Sequence, residues 1–333
     1  MLLRKTSFAL CLIFILNGCS PRVYKSDNLT EQAQLIEDRF VTKDGFVLPV
    51  KKWLPETDIK AVVIALHGFN DYSKFFQMPA VFLKQLDIAS YAYDQRGFGQ
   101  SPARGYWHGV DRLTDDLITF IDLIRRKHRG IPVYVLGHSM GGAVVIAAMT
   151  RKDAPPVDGL ILAAPAVWGK ATMPWYQTTL LAVLSHTMPW LTLTGKGFEI
   201  VPSDNIEMLR AQGRDPLVIK ATRVDAIYGL ANLMDIALKN ARYLKKYRTL
   251  FLYGEKDQVI PENAVNKFLQ DLHKNSMGDR TLVFFPDGYH MLLRDLHAET
   301  AWHQIWAWIN NNAEQEQAGV TVPMNNPALA ETN

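Results

Sequence analysis

Cysteine is nearly missing from this chain: its 333 residues include two, Cys11 and Cys19, both close to the amino terminus. Everything beyond Cys19 can form no internal disulfide, so a fold there must be held by packing. Neither sign of charge dominates, since 36 Lys and Arg against 33 Asp and Glu leave a net +3. Basic and acidic residues intermix along the chain, which removes the electrostatic footprint that nucleic acid binding requires. There is no His-Glu-x-x-His and no cysteine cluster, so no metal site is expected, nor any cofactor. The apolar run at 7–16 is too short to cross a bilayer, which takes about 20 residues.

What is present starts with an export-type signal: Arg4 and Lys5, then the apolar run, then Leu16-Asn17-Gly18-Cys19. The last four residues resemble a bacterial lipobox, although Asn17 departs from the small or apolar residue usual there. The resemblance implies cleavage before Cys19 and lipidation of that cysteine, giving a membrane partner through the anchor. Ser20 after it implies the outer membrane of a bacterial envelope, facing the periplasm. Each buried methylene of the anchor would contribute about 0.8 kcal/mol. Residues 1–19 thus form a signal peptide, and the polar stretch 20–36 a linker.

With 48% hydrophobic and 21% charged residues, the rest can bury a sizeable core. Lys43-Asp44-Gly45 separates apolar-rich runs at 39–42 and 46–54, a hairpin signal that places an antiparallel edge first. Short buried strands then alternate with helical stretches, at 61–66, 88–93, 133–136, 160–164, 249–253 and 281–285. Residues 113–129 have apolar spacing close to that of a helix, and 298–311 form a Trp-rich one. The fold class is therefore α/β, a mostly parallel sheet with helices on both faces. The core spans 37–166 and 233–312. Between them, 167–232 loses the alternation, is broken by Pro174, Pro189, Pro202 and Pro216, and reads as an inserted helical cap. The tail 313–333 is polar, contains Pro323 and Pro327, and is expected to be disordered.

Val133-Tyr134-Val135-Leu136 runs straight into Gly137-His138-Ser139-Met140-Gly141-Gly142 and then an Ala-rich helix. This is the strand-turn-helix setting of a nucleophile elbow, with Ser139 as nucleophile. Serine needs an adjacent base, which a carboxylate holds in the right tautomer, in the chain order Ser, acid, His. Among the later histidines only His290 follows directly on a terminal strand; His273, His297 and His303 fall on helices. For the acid, Asp257 and Glu255 both follow the strand at 249–253, and Asp257 is preferred because it immediately precedes Val259-Ile260-Pro261, where the chain turns. The backbone amides of Met140 and Phe69 are the expected oxyanion donors. The glycine-containing segment 93–101 lacks the dinucleotide spacing and reads as a structural loop.

Leu66-His67-Gly68-Phe69, the segment Tyr93-Asp94-Gln95-Arg96-Gly97-Phe98-Gly99-Gln100-Ser101, the Ser139 elbow, Asp257 and His290, in that order, resemble the monoacylglycerol lipase and lysophospholipase group of α/β-hydrolases. Asp215-Pro216-Leu217 looks like that group's cap. The resemblance spans roughly 38–311. It implies an α/β-hydrolase fold, a mobile cap over an acyl channel that residues 175–193 could line, and cleavage of lipid-like esters such as monoacylglycerols or lysophospholipids by an acyl-enzyme on Ser139. Two other readings stay open. An aminopeptidase would need cap acids, for which Glu199, Asp204 and Glu207 are the candidates; a noncatalytic acyl-chain-binding lipoprotein would need no activated serine.

Overall fold

Strand β4 (Ala61–Leu66) is buried along its whole length, because strands flank both its edges and helices cover both its faces. In the computed structural model, which describes residues 32–195, 199–273, 279–310 and 320–321, β4 sits inside a ten-stranded sheet. The sheet opens with β1 (Gln34–Ile36), β2 (Arg39–Val41) and β3 (Val47–Trp53), paired antiparallel, and β3 joins β5 (Ile88–Tyr93), also antiparallel. From β5 the order is β4, β6 (Val133–His138), β7 (Gly159–Ala163), β10 (Thr249–Gly254) and β11 (Arg280–Phe285), all parallel. Chain order reverses between β5 and β6, which leaves a crevice beyond the carboxyl ends of β4 and β6, the place where open α/β sheets bind ligands.

Alternation within each strand divides the apolar side chains between two cores. Val62, Ile64 and Leu66 face helices α2 (Val110–Lys127), α3 (Met140–Met149), α6 (Val224–Asn240) and α7 (Glu262–His273). Val63, Ala65 and Leu136 face α1 (Gln77–Lys84) and α8 (Ala298–Ile309), with Trp302 and Trp308 of α8 buried among them. No described helix is long and apolar enough to cross a membrane.

The observed boundaries depart from the sequence expectations in three places. Strand β1 lies inside the stretch expected to be linker: its three residues are exposed or half-buried and are set by pairing with β2, and Leu35 and Ile36 make too short an apolar run to mark a strand. The cap is not purely helical. Besides α4 (Trp175–Thr187) and α5 (Ile206–Arg214) it contains an antiparallel ribbon of β8 (Thr192–Thr194) and β9 (Ala221–Arg223), and α6 begins at Val224 and runs through the expected boundary at 232, burying Ala226, Leu233 and Ala237 in the core. Within the tail expected to be disordered, β12 (Val320–Thr321) pairs antiparallel with β11. The signal segment with Cys19, the linker up to 31 and the rest of the tail lie outside the described residues.

Candidate active site

The turn after β6 sets Ser139 at φ 51° and ψ −117°, a left-handed conformation that strains a residue with a Cβ by about 1–3 kcal/mol. Hydrogen bonds over-determine it. The Ser139 amide donates to the Ala163 carbonyl (3.1 Å), and its own carbonyl accepts from the amides of Ala143 (3.2 Å) and Ala166 (2.9 Å). The elbow also needs glycine at 141, where a Cβ would lie 2.3 Å from the Leu66 carbonyl oxygen. Strand β4 and helix α3 can approach this closely only without a side chain there.

The loop after β11 brings His290 to this turn. His290 Nε2 lies 2.9 Å from Ser139 Oγ, and His290 Nδ1 lies 2.8 Å from Asp257 Oδ2. Asp257 comes from the end of β10, and Gly254 lets its loop meet the histidine loop, since a Cβ there would be 2.4 Å from the Gly288 carbonyl carbon. The other Asp257 oxygen accepts from the amides of Val259 (2.7 Å) and Ile260 (3.1 Å). Burial works to raise this carboxyl's pKa, but the charge and hydrogen bond of His290 and the two amides outweigh it and hold it below the usual value. Glu255, the competing acid, is exposed and makes a backbone bond to Phe285. Ser139, His290 and the Asp257 side chain are all nearly inaccessible to solvent. The array can pass the serine proton to an imidazole whose tautomer is fixed by a carboxylate.

Met140 is the first residue of α3, so its amide has no acceptor within the helix. The turn after β4 lies against the serine: a Cβ on Gly68 would be 3.2 Å from both Ser139 Cβ and His138 Nδ1, and Phe69 comes next. His67 anchors that turn. Its Nδ1 donates to the Gly68 carbonyl (2.8 Å), its Nε2 accepts from the Gln95 amide (2.9 Å), and burial pushes its pKa down, so it is a neutral structural imidazole. The segment 93–101 is likewise structural. Asp94 accepts from the amides of Ser73 and Gln100, and the buried Arg96 guanidinium forks onto Asp44 and Asp116 at 2.6–2.8 Å.

Sequence reading missed two contributors. His138, inside the elbow itself, donates from Nε2 to the His290 carbonyl (2.9 Å); burial and the neighbouring His290 charge hold its pKa at about 3, so it stays neutral. Arg294, four residues past His290, pairs with buried Asp71 at 2.5 Å, and Gln212 of α5 donates to the same carboxylate at 3.3 Å. Nothing in local spacing could have joined residues so far apart in sequence. Of the remaining histidines, His297 and His303 are exposed on or beside α8, and the side chain of His273 is not described.

Asp215 ties the cap to the core by accepting from Tyr72 Oη at 2.7 Å. A cavity of about 290 Å³ lies at this junction, lined by residues that include Asp71, Tyr72, Met208, Gln212 and Arg294. Residues 171–195 contain no Asp, Glu, Lys or Arg. Several of the side chains expected to line a channel point outward instead: Trp175 is 76% exposed, Trp190 59%, Leu180 58% and Val183 54%.

Sheet topology, elbow and hydrogen-bonded array together define an α/β-hydrolase. The chain belongs to the family described as serine aminopeptidase, S33, whose pattern matches residues 57–297. It is similar to human monoglyceride lipase, 28% identical over 277 residues that cover 81% of this chain and 89% of the relative. It is also similar to the monoacylglycerol lipase of Mycolicibacterium smegmatis, 26% identical over 278 residues, 82% of this chain and 96% of that one. In fold it resembles the crystal structure of Paleococcus ferrophilus monoacylglycerol lipase, with a TM-score of 0.65 at 24% identity over 79% of this chain and 98% of that one. These likenesses set it in the monoacylglycerol lipase-like group of α/β-hydrolases.

Proposed function

We propose that this chain is a serine hydrolase that cleaves carboxylic esters of lipid-like substrates, a monoacylglycerol or a lysophospholipid, through an acyl-enzyme on Ser139. The observation that carries this reading is the continuous relay from Ser139 Oγ through His290 to Asp257. Ser139 attacks the ester carbonyl while His290 takes its proton, and the amides of Met140 and Phe69 donate to the developing oxyanion. His290 then protonates the leaving alcohol. Water, activated by the same imidazole, releases the fatty acid. The ester preference draws on the relatives named monoglyceride and monoacylglycerol lipases, and the lipid-like preference also on the uncharged, outward-facing apolar strip of α4. If Cys19 is lipidated, the same strip and the anchor would act at one membrane surface.

An aminopeptidase is the second reading, favoured by the description of the family. It calls for unengaged acids facing the substrate amine. Among its candidates Asp204 already accepts from the Leu296 amide at 2.9 Å, and Glu199 and Glu207 are exposed. A panel of monoacylglycerols, lysophospholipids and aminoacyl amides, run on protein lacking residues 1–19, separates the two: preferred cleavage of the amides would sink the ester reading. Ser139→Ala is expected to abolish turnover of a short chromogenic ester and labelling by a fluorophosphonate while leaving the thermal midpoint nearly unchanged. Retained turnover would remove Ser139 from the mechanism, and a wild-type protein inert to the fluorophosphonate would favour a noncatalytic, acyl-chain-binding role.

A further inference from the structure

The loop that carries His290 is held at three successive residues. The Tyr289 amide donates to Asp295 Oδ2 (2.7 Å), the His290 carbonyl accepts from His138 Nε2 (2.9 Å), and the Met291 amide donates to the Pro202 carbonyl (2.9 Å). Two of these three lead to one place. Asp295 Oδ1 accepts from Ser203 Oγ at 2.5 Å, and Ser203 is the residue after Pro202. Two further bonds extend the seam: Asn205 Nδ2 donates to the Arg294 carbonyl (3.0 Å), and the Leu296 amide donates to Asp204 Oδ1 (2.9 Å). Residues 202–205 belong to the cap and lead into α5, while Ser203 is fully buried and Asp295 nearly so.

We propose that Asp295 is a positioning residue that, clamped between Ser203 of the cap and the Tyr289 amide, holds His290 in register with Ser139 and so links the cap to the catalytic relay. The Tyr289 amide is a fixed donor, and Ser203 Oγ, which accepts from the Asn205 amide at 3.2 Å, gives its proton to the second carboxylate oxygen, so a carboxylate satisfies both at once. An asparagine of the same shape would either face the Tyr289 N–H with its own NH₂ or leave the Ser203 hydroxyl proton without its present acceptor. The imidazole must keep two short bonds at once, to Ser139 and to Asp257, and a displacement of about 1 Å from such geometry costs on the order of a hundredfold in rate. This inference rests on the proposed role of His290 as the base.

The test is steady-state turnover of a short soluble ester, with active sites counted by fluorophosphonate, for the wild type, Asp295→Asn, Ser203→Ala and the double variant. The expected result for Asp295→Asn is a kcat per active site about tenfold lower, with KM within about twofold and a parallel fall in the rate of Ser139 labelling. Ser203→Ala, which spares the Tyr289 bond, should show the same split with a loss of about threefold, and the double variant should be no slower than Asp295→Asn because the two residues act as one unit. An unchanged kcat per site in Asp295→Asn, activity that falls only with the number of labelled sites, or losses that multiply in the double variant would each overturn the clamp. Should Asp295→Asn fail to fold, Ser203→Ala decides alone: the split supports the clamp and unchanged kinetics refute it. A wild type that neither turns over ester nor reacts with fluorophosphonate fails at an earlier point, the hydrolase reading itself; an active wild type with indifferent variants refutes the clamp only.

Discussion

The central sheet and the cap are both rich in large apolar residues, yet they dispose of them in opposite ways. Val62, Ile64 and Leu66 in β4 are wholly buried, whereas Trp175, Leu180 and Val183 in α4 are each more than half exposed. The difference lies in how many faces of each element have a neighbour. A central parallel strand is covered on both faces and paired on both edges, so every side chain finds a partner. Helix α4 leans on the rest of the molecule along one side, Ser185 is its one fully enclosed residue, and its apolar surface exceeds what that side can cover. Exposed apolar patches of this kind are a mark of contact with something apolar. The core is therefore organised to hold the array of Ser139, His290 and Asp257 in place, and the cap leaves an apolar surface open for contact.

The largest effect that would test this division lies at the strand ends of the core. Asp257→Asn should lower kcat by on the order of 10⁴ through loss of the correct imidazole tautomer, while Glu255→Gln stays within about twofold. Equal losses at the two positions would contradict the geometry at His290.

Next comes the buried ion cluster. Asp44→Asn leaves Arg96 facing a neutral amide in place of one carboxylate and should cost about 3–5 kcal/mol in denaturant unfolding. The cluster also sets a pH dependence. Burial tends to raise the Asp44 carboxyl, but hydrogen bonds from Arg96 and Thr42 and the charges of Arg96 and Arg112 lower it from 3.8 to about 2. A carboxyl depressed on folding adds stability that is complete above its unfolded value and lost as pH falls through the folded one. The thermal midpoint of the wild type should therefore drop between about pH 4 and pH 2, and the gap to Asp44→Asn should narrow over that window. A gap independent of pH would show that the Asp44 charge contributes nothing.

Packing gives a smaller contrast. Ile64→Ala in the core should cost about 2–5 kcal/mol by leaving a cavity, and Leu180→Ala in the cap no more than about 0.5 kcal/mol. The smallest effect is kinetic: replacing Trp175 and Val183 together by Ser should slow hydrolysis of dispersed monoacylglycerol about threefold and leave a soluble short-chain ester untouched. Equal slowing on both substrates would mean that the strip serves the cap's own structure.

Much of the fold could be read along the chain because its signals are local. The six parallel strands fall within two residues of where their short apolar runs lie, and Ser139, Asp257 and His290 each follow such a run directly. Strands buried on both faces need unbroken apolar residues, and catalytic groups at their carboxyl ends inherit that position. What escaped had no local signal. Strand β1 and the ribbon of β8 and β9 are three-residue pieces defined by their partners, with β8 exposed throughout. Helix α6 crosses the expected boundary between cap and core because it is anchored by packing at Ala226, Leu233 and Ala237, which a shift in composition does not register.

By itself the sequence determined the class of molecule, the parallel sheet and the three residues that meet in one hydrogen-bonded array, because each depends on a residue type within a few positions of a turn. It preferred Asp257 to Glu255 without excluding the second, and tertiary structure separated them by placing one carboxylate 2.8 Å from His290 and the other in solvent. The same holds for the bond from His138 to the histidine loop, for that from Ser203 to Asp295 and for the outward face of α4. These depend on which surfaces meet when residues 92 to 152 positions apart are brought together, as in Ser203 with Asp295 and His138 with His290, and distance along a chain carries no record of that.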